Sequence, residues 1–143
     1  ALRGSIGLID EKLPRSYGED YDILLRATEI GPIRVVNAPL VRVTWAGQSY
    51  YFGQWAAYAQ ALRYLLRKHP DFASSPRGLA RIESQIAFGM AASNQGTEAR
   101  AWSRKAISHD LRAVKAYLAY LISLRLLTVE AVTKVAKMFG RGI

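Results

Sequence analysis

The stretch "YGEDYDILLRATEIGP", Tyr17 to Pro32, decides how the chain is read. Three carboxylates, Glu19, Asp20 and Asp22, stand at the mouth of an apolar run that Gly31-Pro32 stops. Acids in a first turn and a Gly-Pro stop predict a helix of about three turns. At roughly 100° per residue, Asp22, Arg26 and Glu29 fall on one side of it. Tyr21, Ile23, Leu24, Leu25, Ala27, Thr28 and Ile30 spread over the rest. Asp20 lies within that apolar arc, and Glu19 lies at its edge. The pattern predicts Asp22 in solvent, paired with Arg26 at i+4, and Asp20 directed into the body. Two roles stay open for Asp20. It can serve the first turn, where a carboxylate suits the backbone N–H groups and the dipole. It can also be a base at the floor of a cleft. A metal-binding Asp20-Tyr21-Asp22 is disfavoured, because two aspartates about 200° apart on a helix do not share an ion.

Outward from this helix the chain divides. Residues 1–48 hold six Lys/Arg and six Asp/Glu, whereas 49–143 hold fourteen and five, so the whole net charge of +9 sits in the second region. The first region also contains "GLIDEKLPRSYG", a loop with turn signals at Pro14, Ser16 and Gly18. Beyond the helix, "IRVVNAPLVRVTW" reads as one bent strand or two short ones, broken at Asn37-Ala38-Pro39. One helix and about two strands do not make a stable domain. Residues 1–48 therefore read as the end of a larger α/β domain, whose strand edges predict aggregation or dimerisation.

Residues 49–143 read as about five helices. Trp55, Tyr58, Ala59, Leu62, Leu65 and Leu66 form one apolar stripe that ends at His69-Pro70. Pro76 opens a second helix to about Ser93, with Leu79, Ile82, Ile86 and Met90 on one face. Further helices are expected over Thr97 to about Ser108, Arg112 to Leu124 and Thr128 to Phe139, with Thr128 as an N-cap. The fold class is α+β, predominantly α. His69 and His109 stand at helix ends, where they suit the dipole.

Composition excludes several chemistries. There is no cysteine, hence no disulfide, thiolate metal site or Cys nucleophile. No apolar run has the length of a membrane span, and the N-terminus carries no signal-peptide pattern. A cytoplasmic protein is expected. No Walker loop, G-x-S-x-G or His-metal spacing occurs. Basic residues recur in spaced pairs, Arg63/Arg67, Arg77/Arg81, Arg100/Arg104 and Lys134/Lys137. They predict a solvated face on each helix, or a surface for anionic partners such as the inner face of a membrane. Nucleic acid is disfavoured, since the aromatics fit helix cores and do not interleave with the charges.

"GLIDEKLPRSYGEDYDILLRATEIGPI" followed by "NAPLVRV" resembles the C-terminal part of the catalytic domain of family-2 glycosyltransferases, which have a GT-A fold. The resemblance rests on Gly7, Asp10 and Glu11 of a G-x-x-D-E segment. It continues through Glu19-Asp20 with Asp22 and Arg26, and through Pro39, Leu40, Val41 and Val43 of a P-L-V-x-V strand. It covers roughly residues 3–50 and implies an inverting transfer from a nucleotide-sugar to a glycan or lipid-linked acceptor. By the same resemblance Asp20 is the general base and Glu19 its orienting neighbour. Arg26, Trp45 and Ser49 are the candidate substrate-binding residues; Trp45 ends the strand and Ser49 lies in the loop Gly47 to Trp55. A divalent metal, Mg or Mn, is expected in the parent enzyme with its ligands mostly outside this chain. The competing expectation is a non-catalytic scaffold binding protein partners or anionic surfaces. It comes from "EARAWSRKAISHD", Glu98 to Asp110, which resembles the second helix of a tetratricopeptide repeat.

Overall fold

The computed structural model describes residues 4, 6–42 and 53–138. A short helical turn, Pro14–Ser16, precedes α1 (Glu19–Ile30). Then come α2 (Trp55–Lys68), a second short turn at Pro70–Ser74, α3 (Pro76–Ala92), α4 (Gly96–His109), α5 (Val114–Ser123) and α6 (Val129–Met138). The molecule is predominantly helical, and among the described residues there is no strand.

Local chemistry sets these boundaries. The Ser75 hydroxyl accepts the Gly78 N–H at 3.2 Å, and Pro76 occupies the first turn of α3, where its missing N–H costs nothing. The Thr128 hydroxyl accepts the Ala131 N–H at 3.2 Å, so the expected cap of α6 forms. Gly18, at φ 78°, turns the chain into α1, and a Cβ there would stand 3.0 Å from Leu65 Cδ1.

The body is built around α3, which packs against α2, α4 and α5. Phe88, Leu65, Ile86 and Met90 are its largest fully buried apolar side chains, each contributing about 1.5–3 kcal/mol of burial. Ala59, Ala87, Ala99, Ala106, Ala116 and Ala119 are buried between them, which lets the helix axes approach closely. At Gly89 a Cβ would lie 3.0 Å from both Trp55 O and Ala59 Cβ, so α3 meets α2 backbone to backbone. Trp55 packs edge-on against Phe88 at 5.6 Å between ring centroids. Trp102 packs against the same core, with Arg63 and Lys105 over its ring. Val129 and Val132 hold α6 on the outside of this body.

Two expectations are corrected. The strand expected over 33–45 is absent from its described part. Residues 33–42 run irregularly, and Val35, Val36, Leu40 and Val41 are all exposed. A strand is stable only against a neighbour, and the described residues supply none. The second correction is the facing of α1. Asp22, expected in solvent, is fully buried, whereas Asp20 is exposed. The helix turns its ionisable side to α2 and leaves Tyr21, Leu24 and Ile30 outside.

Candidate functional site

The buried face of α1 meets the C-terminal end of α2 in a cluster of charges. Asp22 sits one turn into α1 and makes four contacts to three partner atoms. Lys68 Nζ lies 2.8 Å from Oδ1 and 3.0 Å from Oδ2. His69 Nε2 donates to Oδ1 at 2.8 Å, and Arg26 Nε donates to Oδ2 at 3.0 Å. The expected Asp22–Arg26 pair is therefore present, but buried. Lys68 also donates to Asp10 Oδ2 at 2.6 Å, and the Tyr64 hydroxyl donates to the same oxygen at 2.8 Å. The Arg26 guanidinium closes the cluster by donating to the carbonyls of Ile6 and Leu8. His69 Nδ1 stands 3.7 Å from Glu29 Oε1.

The electrostatics follow from these contacts. Burial alone would push the Asp22 carboxyl up, but hydrogen bonds from Lys68 and His69, with the charges of Lys68 and Arg26, outweigh it and hold Asp22 below its ordinary range. The Lys68 hydrogen bond, with the Lys12 N–H and the Tyr64 hydroxyl, holds Asp10 far below that range. Burial works against the Lys68 ammonium, yet its bonds to Asp10 and Asp22 leave it raised. The bond to Asp10 raises the Tyr64 phenol. Both aspartates are ionised and saturated with donors. Neither has the free lone pair or the basicity of a proton acceptor at neutral pH. The cluster is a clamp that fixes α1 and the loop before it.

Of the site residues read from the sequence, Asp20, Glu19 and Arg26 lie among the described residues. Asp20 lies in the first turn of α1 with an exposed carboxylate, whose Oδ1 accepts the Tyr21 N–H at 2.8 Å. Its other oxygen has no hydrogen bond within the described residues. Glu19 is half-buried beside it. Arg26 does not fit its expected substrate-binding task, because its donors are committed to Asp22 and to two backbone carbonyls. It positions α1. Trp45, Ser49 and Val43 lie outside the described residues. Of the G-x-x-D-E segment, Asp10 joins the clamp and Glu11 is exposed. The G-x-x-D-E segment and α1 thus meet in space, through Lys68 and Arg26.

The donors present do not fit a divalent ion. Asp20 is exposed while Asp22 is buried, and Asp22 is held by Lys68, Arg26 and His69. Among the described residues no group of three His, Asp or Glu side chains is arranged to hold a metal.

Sequence reasoning missed Lys68, His69, Tyr64 and Asp10 as one unit, since 46 residues separate Asp22 from Lys68. It also missed Glu83, fully buried on α3. His109 Nδ1 donates to Glu83 Oε2 at 2.7 Å, and Lys105 Nζ stands 3.2 Å from Oε1 without hydrogen-bond alignment. Both histidines do sit at helix ends as expected, and each also partners a buried acid. Among the described residues no helix is long and apolar enough to cross a membrane. No family model, curated protein or solved structure matches this chain.

Proposed function

We propose that residues 1–48 form the acceptor-side end of an inverting glycosyltransferase of the family-2, GT-A type. Asp20 is its general base, and the helical region is an appended body. The observation that carries this reading is the facing of α1. A helix that buries Asp22 and Arg26 and exposes Tyr21, Leu24 and Ile30 is inside out for an isolated surface helix. The exposed Ile33, Val35, Val36, Leu40 and Val41 continue that apolar surface. Together they make a face of the kind that a further part of an α/β domain covers. Asp20 stands at its edge, in the first turn of α1.

In this reading an acceptor hydroxyl donates its proton to Asp20 while its oxygen bonds to the anomeric carbon. The nucleoside diphosphate leaves with the electron pair of the broken bond, and the configuration inverts. Glu19 orients the acceptor, with Trp45 stacking on a sugar and Ser49 hydrogen-bonding to it. The expected divalent metal would be held by residues outside this chain, and no step here depends on it. The reaction is placed on the cytoplasmic side, with the basic helices meeting an anionic membrane surface that carries a lipid-linked acceptor.

The test is Asp20→Asn in the intact protein. The substitution should abolish transfer while leaving nucleotide-sugar binding within about twofold. Near-normal turnover of this variant would refute the assignment. The tetratricopeptide-like scaffold has one observation in its favour. Ala99 and Ala106 are both fully buried, and their helix α4 packs on α3 as a helical hairpin. An intact protein that binds no nucleotide-sugar would favour it.

A further inference from the structure

Cations gather where α3 passes the start of α5. Arg77 and Arg81 lie on consecutive turns of α3, Arg112 just precedes α5, and Lys115 lies in its first turn. All four line a cleft of about 320 Å³ with Asp110 and Gln85. Among the described residues none of the four side chains has a hydrogen bond or ion pair. This separates them from Arg63, paired with Glu98, from Arg26, and from Lys68 and Lys105. Among the described residues Asp110 is the sole carboxylate lining the cleft, and its Oδ1 accepts the Arg112 backbone N–H at 2.9 Å.

Four further features make this more than a solvated basic face. Lys115 is partly buried, and both burial and the Arg81 charge push its ammonium down, so the site holds a cation at a cost. The N-terminus of α5 has no side-chain cap and no acid in its first turn. Two basic residues beside that positive helix end are the reverse of what the dipole favours. The Tyr58 hydroxyl donates to Gln85 Oε1 at 2.7 Å, which leaves the Gln85 amide Nε2 as a donor. A second depression of about 360 Å³ shares Arg77, Asp110 and Arg112 and reaches His109, so the basic lining continues past one phosphate's width.

From this convergence we infer that the cleft between α3 and the α5 N-terminus binds a phosphoryl group, a phosphate monoester or a diphosphate. Arg81 and Lys115 grip it from the two helices, and Arg77 and Arg112 close over it. Arginines offer paired donors to phosphate oxygens, and Lys115 adds a point charge. The inference is independent of the transferase reading, since no residue is shared with Asp20 or with the Asp22 clamp.

The experiment is calorimetric titration of the full chain with inorganic pyrophosphate at low salt, compared across three variants. Wild type should bind with a Kd of about 1 mM or tighter. Lys115→Met, which keeps the apolar stem, and Arg81→Gln should each weaken binding about tenfold or more. Lys134→Gln on α6 removes the same charge elsewhere and should change Kd less than about twofold. Equal losses in all three variants would mean general attraction to a basic protein and would overturn the site, as would absence of binding in wild type. Should Lys115→Met fail to fold by circular dichroism, Arg81→Gln alone decides. Vesicles of phosphatidylcholine with phosphatidic acid then separate the sources. Lys115-dependent sedimentation supports a lipid headgroup, and pyrophosphate binding without sedimentation supports a soluble phosphoryl compound.

Discussion

Replacing Asp22 by Ala should free α1 from the helical body without unfolding that body. Asp22 is the buried residue of α1; the other side chains of that helix are half-buried or exposed. Removing one partner from a buried ion cluster costs about 3–5 kcal/mol, chiefly because charges are left unpaired out of water. Here the remaining partners limit the loss. Lys68 keeps Asp10 at 2.6 Å, and Arg26 keeps the carbonyls of Ile6 and Leu8. His69, 6% exposed, loses its close partner and keeps Glu29 only at 3.7 Å. The lower end, about 3 kcal/mol, is therefore expected. At about 1.4 kcal/mol per decade this is roughly a hundredfold in the docking equilibrium. Amide hydrogen exchange reads it directly. Protection over residues 23–30 should fall about a hundredfold, while α3 and α4 keep theirs and the main thermal transition moves by less than about 2 °C. A change in α1 protection below about threefold would refute the clamp. The wild type should show the same release in acid. Asp22 titrates below its ordinary value in the folded state, so its contribution is complete above about pH 4 and is lost as pH falls through the depressed folded value.

Two further variants probe the body. Gly89→Ala should destabilise by about 1–3 kcal/mol despite the better helix propensity of alanine, because its Cβ would press on Trp55 O and Ala59 Cβ at 3.0 Å. Urea unfolding followed at 222 nm checks this, and an unchanged midpoint would contradict the close approach of α2 and α3. Glu83→Gln should cost about 2–3 kcal/mol, since it removes the charge that faces His109 at 2.7 Å and Lys105 at 3.2 Å from a fully buried position. A double-mutant cycle with His109→Ala should recover at least about 1 kcal/mol of coupling, and additivity would deny the contact.

The helices of the body were legible because their signals are local. Pro76 behind Ser75, Thr128 ahead of Val129 and the His69-Pro70 stop each act within one turn, and the stripe through Ala59, Leu62 and Leu65 is the face that is buried. The same method placed α1 from Glu19 to Ile30 yet turned it the wrong way. A helical wheel assigns the inner face to the apolar arc, on the assumption that the neighbour is apolar. The neighbour of α1 is instead the charged end of α2, where Lys68 and His69 offer three donors to one carboxylate. Nothing near Asp22 in the sequence announces partners 46 and 47 residues away. The strand signal of residues 33–42 failed for a related reason. Val35, Val36 and Val41 specify a surface that suits a sheet, but a sheet exists only through pairing with other segments. Both failures fall in residues 1–48, the region whose neutral charge set it apart from the basic remainder. Among the described residues of that region, α1 has its polar side satisfied by α2 and its apolar side bare. The bare side, with Asp20 on its edge, is therefore the surface on which the proposed Asp20→Asn test bears.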